Sequence, residues 1–372
     1  MSVRRRVQRA HAWLSLSLGL IIVFISTTGS LLVFYPEIDA ALNPSVQYAE
    51  VAGDGDLVRA ETSLRTTYSD RTGPWRLEVT GRPGAIPARY YNPPETAGRA
   101  FAPMMLWLSP DGREVVRTSF WGDYAMTFIY DLHYRLLAGE AGGKLVGYFG
   151  LAAILLVLTG LWSFWPRGSW AKAFTLRLKA HPLRRWRDIH KAAGLIGLIP
   201  LLMLFATGVM LALPQESEAV LSPLLGPPES AAPPDLSPRA NATNLAAALT
   251  LARTQFPRAR LAWIETPGAD GCCFRFRFQQ TGDPSRRFPH SYVWVDRTGT
   301  SIVQSTDANA ANAHGQLVNW LHPLHDGSFG GLATRIAIAA FGFAPLLLLL
   351  TGWVRWSMRK KSKRKAPDSL AR

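Results

Sequence analysis

Four long apolar runs constrain the fold of this chain more than any other feature. They are Ala12–Tyr35, Leu145–Trp165, Ala192–Leu213 and Leu332–Trp356. An α-helix rises about 1.5 Å per residue, so about 20 residues cross the roughly 30 Å of bilayer hydrocarbon. Each run reaches that length and contains few charged residues. The sequence therefore predicts an α-helical membrane protein with four transmembrane helices.

The basic residues are concentrated in three short segments, 1–10, 166–191 and 355–372. Together these hold twenty Lys and Arg against two acids, Asp188 and Asp368, in a chain of net charge +15. An excess of cations marks the cytoplasmic side of a membrane protein. We therefore expect both termini and the middle segment in the cytoplasm. The clustering argues against nucleic acid as a partner and favours contact of the basic tail with the lipid bilayer.

The predicted segments alternate between membrane and water. In order, they are a basic N-terminus (1–10), a first span (11–35), a first outer domain with an interfacial segment (36–143), a second span (144–165), a basic loop (166–190), a third span (191–213), a second outer domain (214–328), a fourth span (329–356) and a basic tail (357–372). Both outer segments mix helical and strand periodicity, which predicts an α+β fold for each. Their hairpins, LWLSPDGREVV and VWVDRTGTSIV, look like copies of one another.

One histidine lies near the mouth of each apolar run, and each precedes a Thr-Gly pair at a recurring distance. The two spacings of 17 residues are His11 to Thr28 and His190 to Thr207, and the two of 26 residues are His133 to Thr159 and His325 to Thr351. The pattern indicates two parallel repeats of span, outer domain and span, which place equivalent residues at equivalent depth. His322 breaks the 26-residue spacing, so we expect it to be a neighbour of the site or an alternative ligand.

Two histidines at one depth on different helices can hold a haem iron at both axial positions. We therefore expect two bis-histidine b-type haems, one between His11 and His190 and one between His133 and His325. The chain has no CxxCH motif, so haem is not attached covalently in that way. Nearby cations are candidate partners of the haem propionates: Arg9, Lys191, Arg135 and Arg335. Alternatively, each histidine is an interfacial packing residue.

Aromatic residues gather before the second and fourth apolar runs, and they include Trp121, Tyr124 and Trp320. Such residues form either a belt at the membrane interface or a stacking wall for a flat ligand. On the second interpretation these three residues are candidate substrate contacts.

Other chemistry has little support in the sequence. No HExxH, GxGxxG or Walker motif is present, and the apolar runs lack the acidic residues of a proton or cation pathway. A zinc site would need three or four converging ligands, for which His314, His322 and His325 are the candidates. Cys272 and Cys273 are adjacent, and neighbouring cysteines rarely pair because the geometry is strained, so we expect no disulfide.

The chain resembles the PepSY-associated transmembrane-helix family over nearly its whole length. The segments that carry the likeness are RAHAWLSLSLGL, LHYRLLAGEAGG, LTGLWSFWPR, RDIHKAAGLIGL, LHDGSFGGLATR and LTGWVRW. The resemblance implies a four-helix core in a bacterial-type inner membrane, with two PepSY-type periplasmic domains. The hairpin sequence SPDG, where the second copy has DRTG, departs from the domain pattern.

The nearest functional relatives of the family that the chain resembles are ferric-siderophore reductases. They imply two haems that carry electrons from quinol or a cytoplasmic reductase to Fe(III) in a siderophore or another ferric chelate at the periplasmic face. The matching positions make His11 and His190 the inner ligands and His133 and His325 the outer ones. The alternative is a non-catalytic PepSY module that regulates a partner protease or transporter.

Overall fold

The computed structural model describes residues 2–165, 169, 174–227 and 242–364, with the backbone alone for 361–364. Its helices are α1 (Val3–Leu32), α2 (Tyr35–Leu42), α3 (Asp54–Thr67), α4 (Ala125–Arg135), α5 (Gly139–Phe164), α6 (Pro182–Ile196), α7 (Leu198–Ala212), α8 (Pro214–Leu225), α9 (Leu245–Gln255), α10 (Ala313–Asp326), α11 (Gly331–Gly342) and α12 (Ala344–Arg364). Its strands are β1 (Trp75–Glu78), β2 (Ile86–Tyr90), β3 (Met104–Leu108), β4 (Val115–Phe120), β5 (Arg260–Glu265), β6 (Cys273–Gln279), β7 (Ser291–Asp296) and β8 (Ile302–Thr306).

These elements form two compact units. The helical unit combines Met1–Val33, Leu132–Pro214 and Leu324–Arg372, and the sheet unit combines Phe34–Asp131 and Gln215–Pro323. Within the helical unit, α1 packs against α5, α11 and α12, while α5 packs against α7 and α6 against α12. Each unit is therefore assembled from segments far apart in the chain.

Within the described residues, three helical stretches are long and apolar enough to cross a membrane: α1, α5 and Ser328–Lys360. A fourth exists if α6 and α7 form one span, since these two helices meet at a bend of 59°. The bend has a local cause, because the ring of Pro200 in a continuous helix would clash with the carbonyl of Ile196 four residues earlier. The sequence places the end of the first span at Tyr35, whereas α1 ends at Leu32 and Tyr35 opens α2.

The sheet unit contains one eight-stranded antiparallel sheet with strand order β4-β3-β2-β1-β5-β6-β7-β8. Each outer segment contributes four consecutive strands. They join at the centre, where Leu77 of β1 lies opposite Ile264 of β5. The two outer domains expected from the sequence are therefore two halves of a continuous sheet.

Strand β5 was not predicted from the sequence, although it forms half of that central pair. Leu261, Ala262, Trp263 and Ile264 are all buried, so the strand lacks the alternation that reveals a half-buried strand. One face of the sheet packs against α3 and α9. The core residues on that side include Leu57, Leu64, Trp75, Leu77, Leu106, Leu249, Phe274, Phe276 and Phe278.

The turns SPDG and DRTG have the same structural role despite their different sequences. Gly112 and Gly299 end these turns with φ of +74° and +78°, in the left-handed region that favours glycine. A Cβ on Gly112 would lie 2.2 Å from the carbonyl oxygen of Asp56 on α3, and one on Gly299 would lie 2.4 Å from the amide nitrogen of Ala248 on α9. Each turn therefore packs tightly against the helix of its own half.

The expectation that the two cysteines do not pair is wrong, because Cys272 and Cys273 form a disulfide with an S–S distance of 2.10 Å. Adjacent side chains within an extended strand point to opposite faces and cannot meet. Here Cys272 precedes β6, so that alternation does not separate the two sulfurs.

Candidate functional site

Four histidines of the helical unit form two close pairs. The ring centroids of His11 on α1 and His190 on α6 are 6.4 Å apart, with an interplanar angle of 80°. Those of His133 on α4 and His325 on α10 are 6.1 Å apart, at an angle of 40°. The structure thus brings together the same pairs that the repeated spacing indicates.

These separations fit one metal ion between the two rings of each pair. A metal–imidazole bond of about 2 Å on each side, plus roughly 1 Å from each nitrogen to its ring centre, gives about 6 Å between centroids. In the part of the chain that the structure describes, no three His, Cys, Asp or Glu side chains converge as a bare metal site requires. A haem iron needs two protein ligands, because the porphyrin supplies the other four. The paired histidines therefore suit haem better than zinc. His314, a candidate zinc ligand from the sequence, has its Nδ1 atom 2.9 Å from the carbonyl oxygen of Gly226.

Hydrogen bonds to backbone carbonyls fix the tautomer of two histidines. His133 Nδ1 lies 2.8 Å from the carbonyl oxygen of Ile25, and His190 Nδ1 lies 3.1 Å from that of Leu348. A carbonyl oxygen can only accept a hydrogen bond, so Nδ1 carries the proton in both rings. In a neutral imidazole the lone pair is then on Nε2, the atom that would bind a metal.

Threonine hydroxyls fix the tautomer of the other two histidines, His11 and His325. His11 Nδ1 lies 3.1 Å from Thr159 Oγ1, and His325 Nδ1 lies 2.9 Å from Thr207 Oγ1. Each hydroxyl donates its own proton to a carbonyl one turn earlier in its helix, at 2.7 Å for Leu155 and 2.8 Å for Met203. The hydroxyl oxygen is left to accept from Nδ1–H, so these two rings also carry their lone pair on Nε2.

The glycine of each Thr-Gly pair lies against one histidine ring, and in three of the four pairs a larger residue would crowd that ring. A Cβ on Gly29 would lie 2.7 Å from His133 Cε1, closer than real Cβ contacts allow. The corresponding distances to Cε1 are 3.1 Å for Gly208 and His325, 3.2 Å for Gly160 and His11, and 3.6 Å for Gly352 and His190. We call the four pairs, Thr28-Gly29, Thr159-Gly160, Thr207-Gly208 and Thr351-Gly352, the Thr-Gly seats.

In the sequence the Thr-Gly seats serve as register marks, and their contact with the histidines is visible only in the structure. The constant spacing could not reveal this contact, because each histidine contacts the Thr-Gly pair of another helix and not the one that follows it at 17 or 26 residues. Each seat lies on a different helix from the histidine it holds. The seats therefore help to position the candidate ligands, and those at Thr159 and Thr207 also fix the tautomer of His11 and His325.

The four cations proposed for haem propionates lie close in sequence to the histidines, and the structure shows contacts with other groups for three of them. Arg9 is exposed on α1, and Lys191 Nζ lies 5.3 Å from the ring centroid of Phe164. The guanidinium of Arg135 lies 5.4 Å from the ring centroid of Tyr134. Arg335 donates from Nη2 to the carbonyl oxygen of Val33. Their pairing with propionates stays a prediction.

His322 lies in the sheet unit, with its ring centroid 4.7 Å from that of Phe288. Burial, together with the nearby His290, Arg287 and Arg277, lowers the pKa of His322 to about 4. It is therefore neutral at physiological pH. The histidine that the structure pairs with His133 is His325, as the repeat register predicts.

The three aromatic candidates for substrate contact differ in exposure. Trp121 is 7% exposed and donates from Nε1 to Asp131 Oδ1 at 3.0 Å. The hydroxyl of Tyr124 lies 2.9 Å from that of Tyr35, and its ring packs against Trp107. Trp320 on α10 is 38% exposed. Trp121 and Tyr124 thus belong to a packed core rather than to an open stacking wall.

Comparison with protein families matches the chain to the model described as the PepSY-associated TM region, over residues 8–359. The matched range contains all four paired histidines and all four Thr-Gly seats. Comparison with curated proteins gives no match.

Proposed function

The chain belongs to the PepSY-associated transmembrane family, and on that premise we propose that it is a di-haem membrane reductase that delivers electrons to Fe(III) in a siderophore or another ferric chelate. One observation carries the proposal: two histidine pairs at 6.4 and 6.1 Å, with Nδ1 of each ring held by the protein. A b-type haem bound at such a pair supplies one-electron transfer. The two imidazoles of each pair would hold the haem iron, and a haem held in this way would favour electron transfer over binding of a gas.

The layout that we propose has four spans in two parallel repeats, with α6 and α7 together forming the third span. The Thr-Gly seats support it. His11 contacts the seat at Thr159, and its equivalent His190 contacts the equivalent seat at Thr351. His133 and His325 likewise contact the seats at Thr28 and Thr207. An internal duplication predicts such equivalent contacts, because both copies then fold in the same way.

The sides of the membrane follow from charge. The three basic segments place both termini in the cytoplasm, with the sheet unit in the periplasm. His11 and His190 are then the inner pair, and His133 and His325 the outer pair. Electrons enter from quinol or a cytoplasmic reductase and leave at the outer face. Reduction releases the metal because Fe(II) is held less well than Fe(III) by hard oxygen ligands.

Purified protein that has been reduced with dithionite and freed of excess reductant should be reoxidised by an added ferric siderophore. Fe(II), trapped by ferrozine, should appear in proportion to the haem oxidised, because each haem releases one electron. The Ga(III) complex of the same siderophore is the matched control, since Ga(III) accepts no electron under these conditions. A reduced spectrum that persists equally with the Fe(III) and the Ga(III) complexes would contradict the proposed reaction.

A further inference from the structure

The sheet face opposite α3 and α9 carries a cluster of arginines at its centre. Strand alternation puts Phe274, Phe276 and Phe278 in the core and turns Arg275 and Arg277 to the other face. Four residues form a row of direct neighbours across β2, β1, β5 and β6: Arg89, Arg76, Glu265 and Arg275. With Arg277 and the flanking Trp263 and Tyr292, we call this row the arginine face.

Positive charge on the arginine face exceeds the negative charge available to balance it. Both Arg76 and Arg275 form ion pairs with the single carboxylate of Glu265. Glu78 pairs instead with Arg287, at 3.3 Å. The four guanidinium groups of the arginine face therefore share one carboxylate, that of Glu265.

Two of the arginines have no acidic partner within 4.0 Å among the described residues. The guanidinium of Arg277 lies 4.9 Å from the ring centroid of Tyr292, and that of Arg89 lies 5.4 Å from the ring centroid of Trp263. Aromatic rings can hold a guanidinium by its face and leave its N–H groups to another acceptor. The rings therefore position these two arginines without neutralising them.

Burial makes the excess charge costly. The side chains of Arg76 and Arg275 are 16% and 20% exposed. Burial lowers the pKa of Arg76 to about 9, and it also lowers the pKa of Arg275 and Arg277. Nε of Arg76 is buried without a hydrogen-bond acceptor in the described part of the chain. An anion bound here would supply the missing acceptors and relieve the repulsion between neighbouring cations.

We propose that the arginine face binds an anionic ferric chelate whose iron is held by catecholate or carboxylate oxygens. This inference rests on the proposed function and narrows its substrate class. Guanidinium groups pair with such oxygens through two parallel hydrogen bonds. Three dianionic catecholates around Fe(III) leave about three negative charges, which match the four guanidiniums of the arginine face less the one carboxylate of Glu265. A neutral hydroxamate chelate offers no such charge.

The proposal is tested by binding rather than by reduction. The full-length protein in detergent is titrated with the Ga(III) complex of a tricatecholate and with that of a neutral trihydroxamate, using tryptophan fluorescence or calorimetry. We expect tighter binding of the tricatecholate, with an affinity that falls as salt is raised. Equal affinity for the two complexes would overturn the proposal.

Variants locate the binding on the protein. Arg277→Gln should weaken tricatecholate binding about tenfold or more, because it removes charge-assisted hydrogen bonds. The Arg277→Lys protein keeps the positive charge but loses the planar guanidinium. Its affinity for the tricatecholate should lie between those of the unaltered and the Arg277→Gln proteins. Arg113→Gln is the control, since Arg113 is exposed on the turn between β3 and β4. The site would be rejected if the Arg277→Gln and Arg113→Gln proteins bound the tricatecholate with equal affinity. It would also be rejected if phosphatidylglycerol micelles displaced the complex.

Because Ga(III) binding requires neither haem nor reduction, the two proposals fail separately. If the protein contains no haem but still binds the Ga(III) tricatecholate in a way that depends on Arg277, the anion site is supported and the reductase proposal is contradicted. If the protein reduces ferric chelates but shows no preference for anionic ones, the reductase proposal is supported and the anion site is contradicted.

Discussion

Replacement of His325 by alanine is expected to lower the haem content from about two to about one per chain and to reduce ferric-chelate reduction by at least about tenfold. The reason is that His325 lies opposite His133, with ring centroids 6.1 Å apart, and is held by Thr207. Haem is measured by the pyridine haemochrome assay, and reduction by ferrozine capture of Fe(II). The remaining haem, between His11 and His190, should still be reduced by dithionite with a low-spin spectrum.

His322→Ala is the matched control, because it removes a histidine from the same helix, three residues earlier. His322 packs on Phe288 in the sheet unit, so its loss should leave haem content unchanged. The opposite result, in which His322→Ala loses a haem and His325→Ala keeps both, would mean that the repeat register slips by three residues in α10.

Substitution of Gly29 by alanine should also remove the haem between His133 and His325, although residue 29 is not a ligand. The added methyl group would lie 2.7 Å from His133 Cε1 and would push the ring out of its seat. Alanine is a better helix former than glycine by about 1 kcal/mol, so the helix itself should not be weakened. We expect about one haem per chain together with unchanged membrane insertion and helix content, measured by the haemochrome assay and circular dichroism.

Gly194→Ala makes the same chemical change in α6 without a clash. Its added methyl group would lie 3.8 Å from the nearest side-chain atom, on Leu348, which is an ordinary contact. This protein should bind as much haem as the unaltered chain. Full haem content in the Gly29→Ala protein as well would show that the Thr-Gly seats do not position the ligands.

The histidine pairs could be anticipated from the sequence because a duplication preserves distances along the chain. A spacing of 17 residues recurs for His11 and His190, and one of 26 residues recurs for His133 and His325. Such recurrence identifies equivalent positions without knowledge of any side-chain contact. It pairs residues across helices because equivalent residues of parallel repeats share a depth.

The contacts of long polar side chains could not be predicted from such spacings. Arg335 lies close in sequence to His325, yet it bonds the carbonyl of Val33 on another part of the helical unit. An arginine side chain reaches several ångströms in many directions, so sequence distance from a ligand says little about its partner.

The central pairing of the sheet was missed for a different reason. The missing strand β5 is buried on both faces, so its pattern lacks the alternation that reveals β1 and β6. Its partner lies far away in the chain, at Arg76 to Glu78. Without β5, the sequence indicates two separate domains, and the arginine face that spans their junction stays hidden.

Haem stoichiometry tests the central proposal most directly. Protein expressed with ample haem and purified in mild detergent should contain about two b-type haems per chain by pyridine haemochrome, with dithionite-reduced spectra typical of bis-histidine ligation. Both histidine pairs have the separation and the ring tautomer that this result requires. A value near zero under the same conditions would contradict a di-haem reductase and favour a non-catalytic PepSY module that acts on a partner protein.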